Sequence, residues 1–463
     1  MPSSALRLSL YGVWACTLAA LLLVASENLR FQDVGDFGRT AGFMLELPEF
    51  AKGLRWPFRP QPLPLGERFD LGHYVFGAMG WLQSLYSDHF DLRFSAILAK
   101  LALALCADLL ARQIAPLFAR PLLARALAFT ALLLAMSAAH NAGMLKSLYG
   151  EYLFFLTLPP LLYGLLRSQQ RSGQWTLLAA ALLGGLSKAQ YFYLPALAIA
   201  CLLLLARRGK RAAPLWLLAG LAAAQLACLL PALHNPYAQL NRHQSTYWGS
   251  YLVLSEAELR GLGLDDRQLA CVGIDGWGHR AQGPGGSEPV EVGADKTCYR
   301  HQTLSLGDVL APYLRYPATL PRLLAFAMPE HFHVHYFHVY KAFPYLVPAK
   351  GSSYRSGRWL VHLSVLRDKL VTPLAPVLLL AGVLQAGWSR TRRHPGLSGC
   401  ALFLALFSAS QVLISLLGEG VRDLGKHLWG AQLALDFLVL TLAAQCAVLW
   451  TERSANRPAV QAQ

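Results

Sequence analysis

The hydrophilic segments between the apolar stretches of this chain alternate between basic and acidic, and this alternation limits what the chain can fold into. Apolar stretches divide the sequence into about ten segments of roughly 17 to 25 residues, the length that crosses a bilayer as a helix. One set of connecting segments is basic and almost free of carboxylates; its cations are Arg112, Arg120, Arg125, Arg167, Arg171, Arg207, Arg208, Lys210, Arg211, Arg390, Arg392, Arg393, Arg453 and Arg457. The other set holds Asp33, Asp36, Glu151, Glu419 and Asp423 together with a long hydrophilic segment. Because Lys and Arg near span ends stay in the cytoplasm, the basic set is predicted to lie inside, with both termini.

The predicted fold is an all-α integral membrane protein with about ten transmembrane helices and an outer cap formed by two large periplasmic loops. The spans are predicted near residues 8–26, 93–112, 121–139, 152–167, 174–187, 194–207, 213–232, 369–388, 397–417 and 428–449. Three parts follow: an N-terminal transmembrane bundle at 1–232 that includes the first outer loop at 27–92, a large periplasmic loop at 233–368, and C-terminal transmembrane helices at 369–463. The segment at 194–207 is short, so a bent or re-entrant unit with 174–187 is an alternative.

The outer segments are too long to be simple linkers. Residues 74–82 are predicted to form an interfacial helix, 273–293 a glycine-rich loop, and 306–328 short amphipathic helices interrupted by prolines. Cys271 and Cys298 are the two cysteines of the large loop. A disulfide between them requires an oxidising compartment and a short distance in space, and the sequence leaves this pairing open.

The composition agrees with a membrane protein and excludes one class of partner. Hydrophobic residues make up 55% of the chain and charged residues only 14%, which is typical of a polytopic protein. The formal net charge of +15 is spread over short loops and is not gathered into a patch. We therefore expect contact with membrane lipids and no binding of nucleic acid.

Asp33 and Asp36 follow the first predicted span and are candidates for a general base. Their distance from the span places them near the outer surface of the membrane, where a lipid-linked substrate would present its reactive group. A carboxylate there can take a proton from an acceptor hydroxyl. The structural alternative is a solvated loop acid, or one paired with Arg39.

Glu151 and Lys188 lie at the mouths of predicted spans, where a charge requires a partner. Glu151 is predicted either to orient an acceptor, to help bind a metal, or to form a purely structural pair with Lys146. Lys188 follows small residues and is predicted either to contact a phosphate or to extend its ammonium group to the interface.

The last predicted outer turn is the densest in charge and contains Glu419, Arg422, Lys426 and His427. A helix that begins at Val421 would place Arg422 and Lys426 on one face, a pair of cations suited to a phosphate leaving group. The same helix would place Asp423 beside His427. Asp436 lies further inside the following span, and an acid at that depth is a candidate for a functional role.

Histidines alternate at His331, His333 and His335, and on a strand they would share one face. Zinc is one interpretation, but the spacing matches no standard metal motif and aromatic residues lie between the histidines. The other interpretation is a segment at the membrane surface or in a substrate groove. No cofactor is predicted, and a divalent metal has no clear motif to support it.

Three stretches resemble the GT-C class of membrane glycosyltransferases, and within it a hexose-transferase family of bacterial surface glycan assembly. The stretches are Gly35–Arg39, Tyr247–Tyr251 with Leu259–Leu264, and Gly418–Gly420 with Lys426–Leu428; an Asp is more usual than Glu at position 419. The resemblance implies a multi-pass enzyme of the bacterial inner membrane, with its active site facing the periplasm. It would transfer a sugar from a polyprenyl-phosphate-linked donor to a periplasmic or lipid-linked glycan acceptor.

The roles that this interpretation assigns are those of a single displacement. Asp36 or Asp33 would be the base, and Glu151 would orient the acceptor. The residues expected to contact donor phosphate or bound substrate are Lys188, Arg358, Glu419, Arg422, Lys426 and His427.

Two other classes of function remain open. A glycan polymerase or ligase of the O-antigen type would depend on loop arginines, here Arg315, Arg322, Arg355 and Arg358. A non-catalytic transporter of lipid-linked glycans would need charges along a central path, for which Asp108 and Asp436 are the mid-span candidates.

Overall fold

The computed structural model describes most of the chain as helix. The described residues are 4–27, 29, 37–48, 53–61, 71–208, 213–235, 237–281, 287–290, 297–300, 302–333, 358–387, 394–422 and 424–456. The helices within these ranges are α1 (Ser4–Ala25), α2 (Phe37–Ala41), α3 (Leu71–Ser84), α4 (Leu92–Ile114), α5 (Pro121–Ser137), α6 (Ala139–Ala142), α7 (Glu151–Leu166), α8 (Arg171–Ser187), α9 (Leu194–Arg208), α10 (Leu215–Leu233), α11 (Ala238–Tyr247), α12 (Glu256–Gly261), α13 (Asp266–Ala270), α14 (Thr297–Arg300), α15 (Leu306–Arg315), α16 (Thr319–His331), α17 (Arg358–Val371), α18 (Ala375–Leu384), α19 (Pro395–Glu419), α20 (Leu424–His427) and α21 (Trp429–Asn456).

Strand structure in these ranges is limited to two short antiparallel ribbons. The first pairs β1 (Arg55–Pro57) with β2 (His89–Asp91), and Trp56 lies opposite Phe90. The second pairs β3 (His279–Ala281) with β4 (Ser287–Pro289), inside the stretch predicted to be a glycine-rich loop. The all-α class predicted from the apolar segments is confirmed.

Each of the ten predicted spans falls on a helix, but the helices differ in length. Within the described part of the chain, five stretches are long and apolar enough to cross a membrane: Leu92–Leu117, Ala189–Arg207, Trp359–Gly387, Pro395–Glu419 and Trp429–Glu452. A sixth results if Pro121–Ser137 and Ala139–Lys146, bent by 63°, form one broken span. Shorter apolar helices occupy Ser9–Ala25, Glu151–Leu166 and Leu215–Leu230. The segment predicted at 194–207 is part of Ala189–Arg207, which is long enough to cross without a bent unit.

The chain divides into two compact units. The first comprises Met1–Ala232, Phe337–Phe407 and Leu433–Gln463, and the second comprises Leu233–Tyr336 and Ser408–Gln432. In the first unit, the consecutive helices α7 and α8 pack closely because Gly164 has no side chain. A Cβ at Gly164 would lie 2.6 Å from the backbone nitrogen of Leu177. Close approach through small residues is the usual way in which membrane helices associate.

Stacked aromatic rings extend this packing within the first unit. The ring of Phe154 on α7 stacks on Tyr191 at 4.3 Å and on Phe407 of α19 at 5.1 Å between centroids. All three side chains are buried. These contacts hold the first half of α7 in place, and Glu151 is the first residue of that helix.

The second unit is built from short capped helices around a small apolar core. Ser255, Asp265 and Ser305 begin α12, α13 and α15 with reciprocal capping boxes, which satisfy backbone N–H groups that a helix start leaves unpaired. The core residues are Tyr247, Tyr251, Leu254, Leu259, Leu264, Cys271, Ile274, Cys298 and Leu304. The predicted amphipathic helices are present as α15 and α16, separated at 316–318.

A disulfide joins Cys271 to Cys298 inside this core, with 5.4 Å between the Cα atoms. The other six cysteines are free thiols. Labelling of unfolded, non-reduced protein should therefore modify six thiols, and reduction should raise the number to eight. We expect Cys271→Ser to cost about 3 kcal/mol in stability, because the bridge closes a long loop in the unfolded chain. Labelling of all eight thiols before reduction would contradict the bridge.

Candidate functional site

Glu151 and Lys188 form an ion pair at the ends of two packed helices. Glu151 is the first residue of α7, where a carboxylate interacts favourably with the helix dipole, and Lys188 directly follows the last residue of α8. The Nζ atom of Lys188 lies 2.5 Å from Oε1 of Glu151. A structural pair of Glu151 with Lys146 was one alternative that the sequence left open; the ion pair in the structure is with Lys188, and Lys146 contacts Ser26, directly after α1.

The second carboxylate oxygen of Glu151 is buried without a compensating contact. Glu151 has no exposed surface, and among the described residues Oε2 has no hydrogen-bond partner. A buried carboxylate oxygen that lacks a partner is costly to the folded protein. Such an oxygen can accept a hydrogen bond from a substrate hydroxyl that enters the site. Lys188 is partly exposed, so the pair is accessible from its lysine side.

Two further lysines contact Ser26, the residue that follows α1. Lys146 donates a hydrogen bond from Nζ to the carbonyl oxygen of Ser26 at 3.0 Å. Lys100 donates one from Nζ to the hydroxyl of Ser26 at 2.6 Å. Cations at a helix C-terminus are stabilising, which gives both lysines a structural role. Lys100 was not among the residues predicted from the sequence, although a lysine within an apolar span is a signal that could have identified it.

Residues on both sides of Asp33 and Asp36 in the sequence contact the part of the chain just before Glu151. Asp33, Asp36 and the side chain of Arg39 lie outside the described residues. Ser26 precedes that segment and is held by Lys146, whereas Phe37 directly follows Asp36. The buried ring of Phe37 packs edge-to-face on Tyr149, with 5.1 Å between centroids. Ser26 and Phe37, which lie before and after the two aspartates in the sequence, therefore both contact residues 146–149.

The last predicted outer turn, in the second unit, differs from its predicted form. The helix begins at Leu424 and not at Val421, so Arg422 lies in a turn and does not share a helical face with Lys426. His427 pairs with Glu419, with 2.6 Å between Nε2 and Oε2. Asp423, the acid predicted to lie beside His427, is outside the described residues.

Arg422 is held by a buried acid and two indole rings within the second unit. Its Nη1 atom lies 3.2 Å from Oδ2 of Asp275, which is fully buried. Its guanidinium carbon lies 5.4 Å from the ring of Trp248 and 5.5 Å from that of Trp277. Cation–π contacts and a buried carboxylate both stabilise a guanidinium ion. The Arg422 charge therefore has a structural function here.

Two of the stretches that suggested a family resemblance meet through glycines. Gly420 has a φ of +62° and follows Glu419, while Gly249 follows Trp248. A Cβ at Gly249 would lie 3.0 Å from the Cα of Gly420. The backbone N–H of Val421 donates to the Trp248 carbonyl at 3.0 Å. This contact explains why glycine is required at both positions.

Gly420→Ala should destabilise the second unit by about 1–3 kcal/mol. Alanine would adopt a left-handed backbone conformation, and its Cβ would lie 2.5 Å from the carbonyl oxygens of Gln244 and Trp248. Thermal unfolding in detergent measures the loss. Gly418→Ala is the matched control, because nothing lies within 4 Å of a Cβ at that position. Equal melting temperatures for the two variants would contradict the close contact.

The mid-span acids are engaged by neighbouring cations. Asp436 contacts Arg367 Nε, and its Oδ2 lies 3.0 Å from His140 Nε2. Asp108 pairs with Arg125 at 2.7 Å and with Arg112 at 2.8 Å. Asp436 is buried and Asp108 is partly buried, and each already has partners of opposite charge. These ion pairs explain the presence of Asp436 and Asp108 by a structural role.

Some predicted site residues cannot be placed. Arg358 begins α17, but its side chain is outside the described residues, as are the side chain of His331 and the whole of His335. Among the described residues, no group of three or more His, Cys, Asp or Glu side chains could hold a metal ion.

An all-α chain with five or six helices able to cross a bilayer defines a multi-pass membrane protein. The chain belongs to the YfdI N-terminal transmembrane domain family, whose profile matches residues 73–460. It is similar to the uncharacterized protein YfdI of Escherichia coli (strain K12), with 24% identity over 456 residues, which cover 94% of each chain. No solved structure matches the chain. The family match includes Glu151 and Lys188 and begins after Asp36.

Proposed function

We propose that this protein transfers a sugar from a polyprenyl-phosphate-linked donor to a glycan or lipid acceptor, at the periplasmic face of a bacterial inner membrane. The observation that carries the proposal is the Glu151–Lys188 pair. One buried carboxylate oxygen accepts from the lysine, and the other has no hydrogen-bond partner among the described residues. Ser26 and Phe37, which flank Asp33 and Asp36 in the sequence, contact Lys146 and Tyr149, a few residues before Glu151.

The reaction is a single displacement. Asp36, or Asp33, removes the proton from an acceptor hydroxyl, whose oxygen attacks the anomeric carbon of the donor sugar. The bond between that carbon and the phosphate oxygen breaks, and polyprenyl phosphate leaves with the bonding electrons. Lys188 stabilises the negative charge that develops on the phosphate, and Glu151 accepts a hydrogen bond that orients the acceptor.

Fewer residues of the last outer turn are proposed to contact the phosphate than its sequence suggested. Arg422 is already engaged by Asp275 and two tryptophan rings, so it positions the turn. Lys426 and His427 remain proposed phosphate ligands, with Glu419 orienting the His427 ring. Arg358 remains a proposed substrate contact.

Some of the charges that the two other classes would use already have partners among the described residues. Arg322, one of the loop arginines of a polymerase or ligase, is paired with Glu258 at 2.9 Å. Asp108 and Asp436, the acids of a transporter path, are each paired with arginine. The Cys271–Cys298 bridge supports an oxidising compartment for the large loop.

The test is a reaction with purified protein in lipid nanodiscs, supplied with polyprenyl-phosphate sugars of several kinds and with glycan acceptors. Acceptor-dependent release of polyprenyl phosphate and a heavier acceptor in the mass spectrum are expected. Movement of the donor across liposomes without release would favour the transporter. Release of a polyprenyl diphosphate with growth of a polymer would favour the polymerase.

Reporter fusions test the proposed orientation. Fusions after Arg171 and Arg211 should report the cytoplasm, because these positions lie in the basic segments. Fusions after Gly283 and Gly420 should report the periplasm. A cytoplasmic signal at Gly283 would invert the topology and contradict a periplasmic donor.

A further inference from the structure

An open apolar groove of about 520 Å³ lies within the first unit, away from Glu151 and Lys188. One wall is α5 and the other is α21, while the final turns of α4 and α7 and the first turns of α19 complete the lining. Two threonines line it, but the hydroxyls of Thr441 and Thr451 donate to carbonyl oxygens of their own helix. The groove therefore presents an apolar surface with one cationic side chain, Arg120.

Small residues on both walls create the space. Ala124, Ala128 and Ala131 line the groove from α5 at spacings of four and three, so they share one helical face. Ala444 and Ala447 line it from α21. A single hydrocarbon chain is thin enough to enter.

Water is a poor occupant of such a groove. A cavity without polar partners does not hold water molecules, and the medium around a membrane-spanning bundle is lipid. An acyl chain from the surrounding leaflet therefore fits both the shape and the chemistry of the lining.

Charge at the end of the groove favours an anionic headgroup. Arg120 is exposed, and no acidic side chain of the described residues pairs with it. Arg112 and Arg125 lie in the same region and share one carboxylate, Asp108. Between residues 108 and 125 the chain therefore carries three guanidinium groups and one carboxylate, two positive charges in excess. Glu452, which follows the lining residue Thr451, contacts His394 at 3.0 Å. Basic pockets between helices at the cytoplasmic side of a membrane attract anionic lipid headgroups.

We propose that this groove is a binding site for an anionic phospholipid of the leaflet at which the basic helix ends lie. One acyl chain packs between α5 and α21, and the phosphate contacts Arg120. The bound lipid completes the packing of two helices whose facing alanines leave a gap. This inference does not depend on the proposed sugar transfer, because the groove and the Glu151 site share no residue.

Native mass spectrometry of the protein, exchanged into equal amounts of phosphatidylglycerol and phosphatidylethanolamine, tests the site. One retained phosphatidylglycerol is expected. Arg120→Gln should weaken the retention of phosphatidylglycerol about fivefold, because one arginine near an anionic surface contributes about 1 kcal/mol. The retention of phosphatidylethanolamine should not change. Ala128→Trp fills the groove and should reduce retention at least about tenfold. Leu105→Trp, on an exposed position of α4, is the control and should change nothing.

Three outcomes would overturn the proposal. Equal retention of the two lipids by wild type and by Arg120→Gln would remove the headgroup site. Full retention of phosphatidylglycerol by Ala128→Trp would show that the lipid does not bind in this groove. A wild-type dimer that Ala128→Trp dissociates would assign the groove to a second copy of the chain. If Ala128→Trp does not fold, the lipid preference of the wild type and the retention by Arg120→Gln still test the anionic lipid site.

Discussion

Asp36→Asn should abolish sugar transfer while the amount of folded, inserted protein stays at the wild-type level. Asparagine keeps the size of aspartate and can accept a hydrogen bond, but it cannot take a proton from the acceptor hydroxyl. Removal of a general base usually lowers the rate by about 10²- to 10⁴-fold. Mass spectra of surface glycans from cells with the wild-type and variant proteins measure the loss. Immunoblots of the membrane fraction and size-exclusion chromatography report folding.

Asp33→Asn is the matched comparison, because it removes an acid from the same segment. A strong loss for Asp36→Asn with a weak loss for Asp33→Asn assigns the base to Asp36, and the reverse result assigns it to Asp33. Near-normal transfer by both variants, together with loss on Arg315→Ala or Arg322→Ala, would replace the proposed mechanism with that of a polymerase or ligase.

Replacement of the Glu151–Lys188 pair should separate its chemical role from its structural role. Glu151→Gln and Lys188→Met each leave one charge without its partner, and Glu151 is fully buried whereas Lys188 is partly exposed. Each single variant should cost on the order of 2 kcal/mol in stability, a value between those of exposed and buried pairs. The double variant leaves no unpaired charge, so its melting temperature should return close to that of the wild type.

Transfer by the double variant should nevertheless remain below about 1% of wild type, because the phosphate loses its cation and the acceptor loses its hydrogen-bond acceptor. Donor consumption in nanodiscs and thermal unfolding are the two measurements. Glu256→Gln, a change at an exposed carboxylate, is the control and should alter neither. A double variant with wild-type stability and wild-type transfer would show that the pair serves the fold alone.

The local sequence pattern predicted the helices of this protein well, but it predicted the ion-pair partners of the charged residues poorly. Each apolar segment coincides with a helix, and the outer stretch at 306–328 forms α15 and α16. The helix predicted from Val421 was wrong, because the positive φ of Gly420 ends α19 and the turn is held by the backbone of Trp248. Asp275 holds Arg422 from far away along the chain, and no local pattern contains that acid.

The sequence by itself determined that the chain is a membrane-spanning helical protein, and it identified the candidate acids and cations in the segments between the spans. The reason is that a bilayer imposes a local condition: each span must be apolar over its own length and must satisfy its backbone within itself. Only the tertiary structure decided which charges meet. Glu151 joins Lys188 and not Lys146, and Lys146 and Lys100 converge on Ser26, because helix packing sets those distances. Ion pairing acts over a few ångströms in space, and sequence spacing does not specify which distant residues come that close.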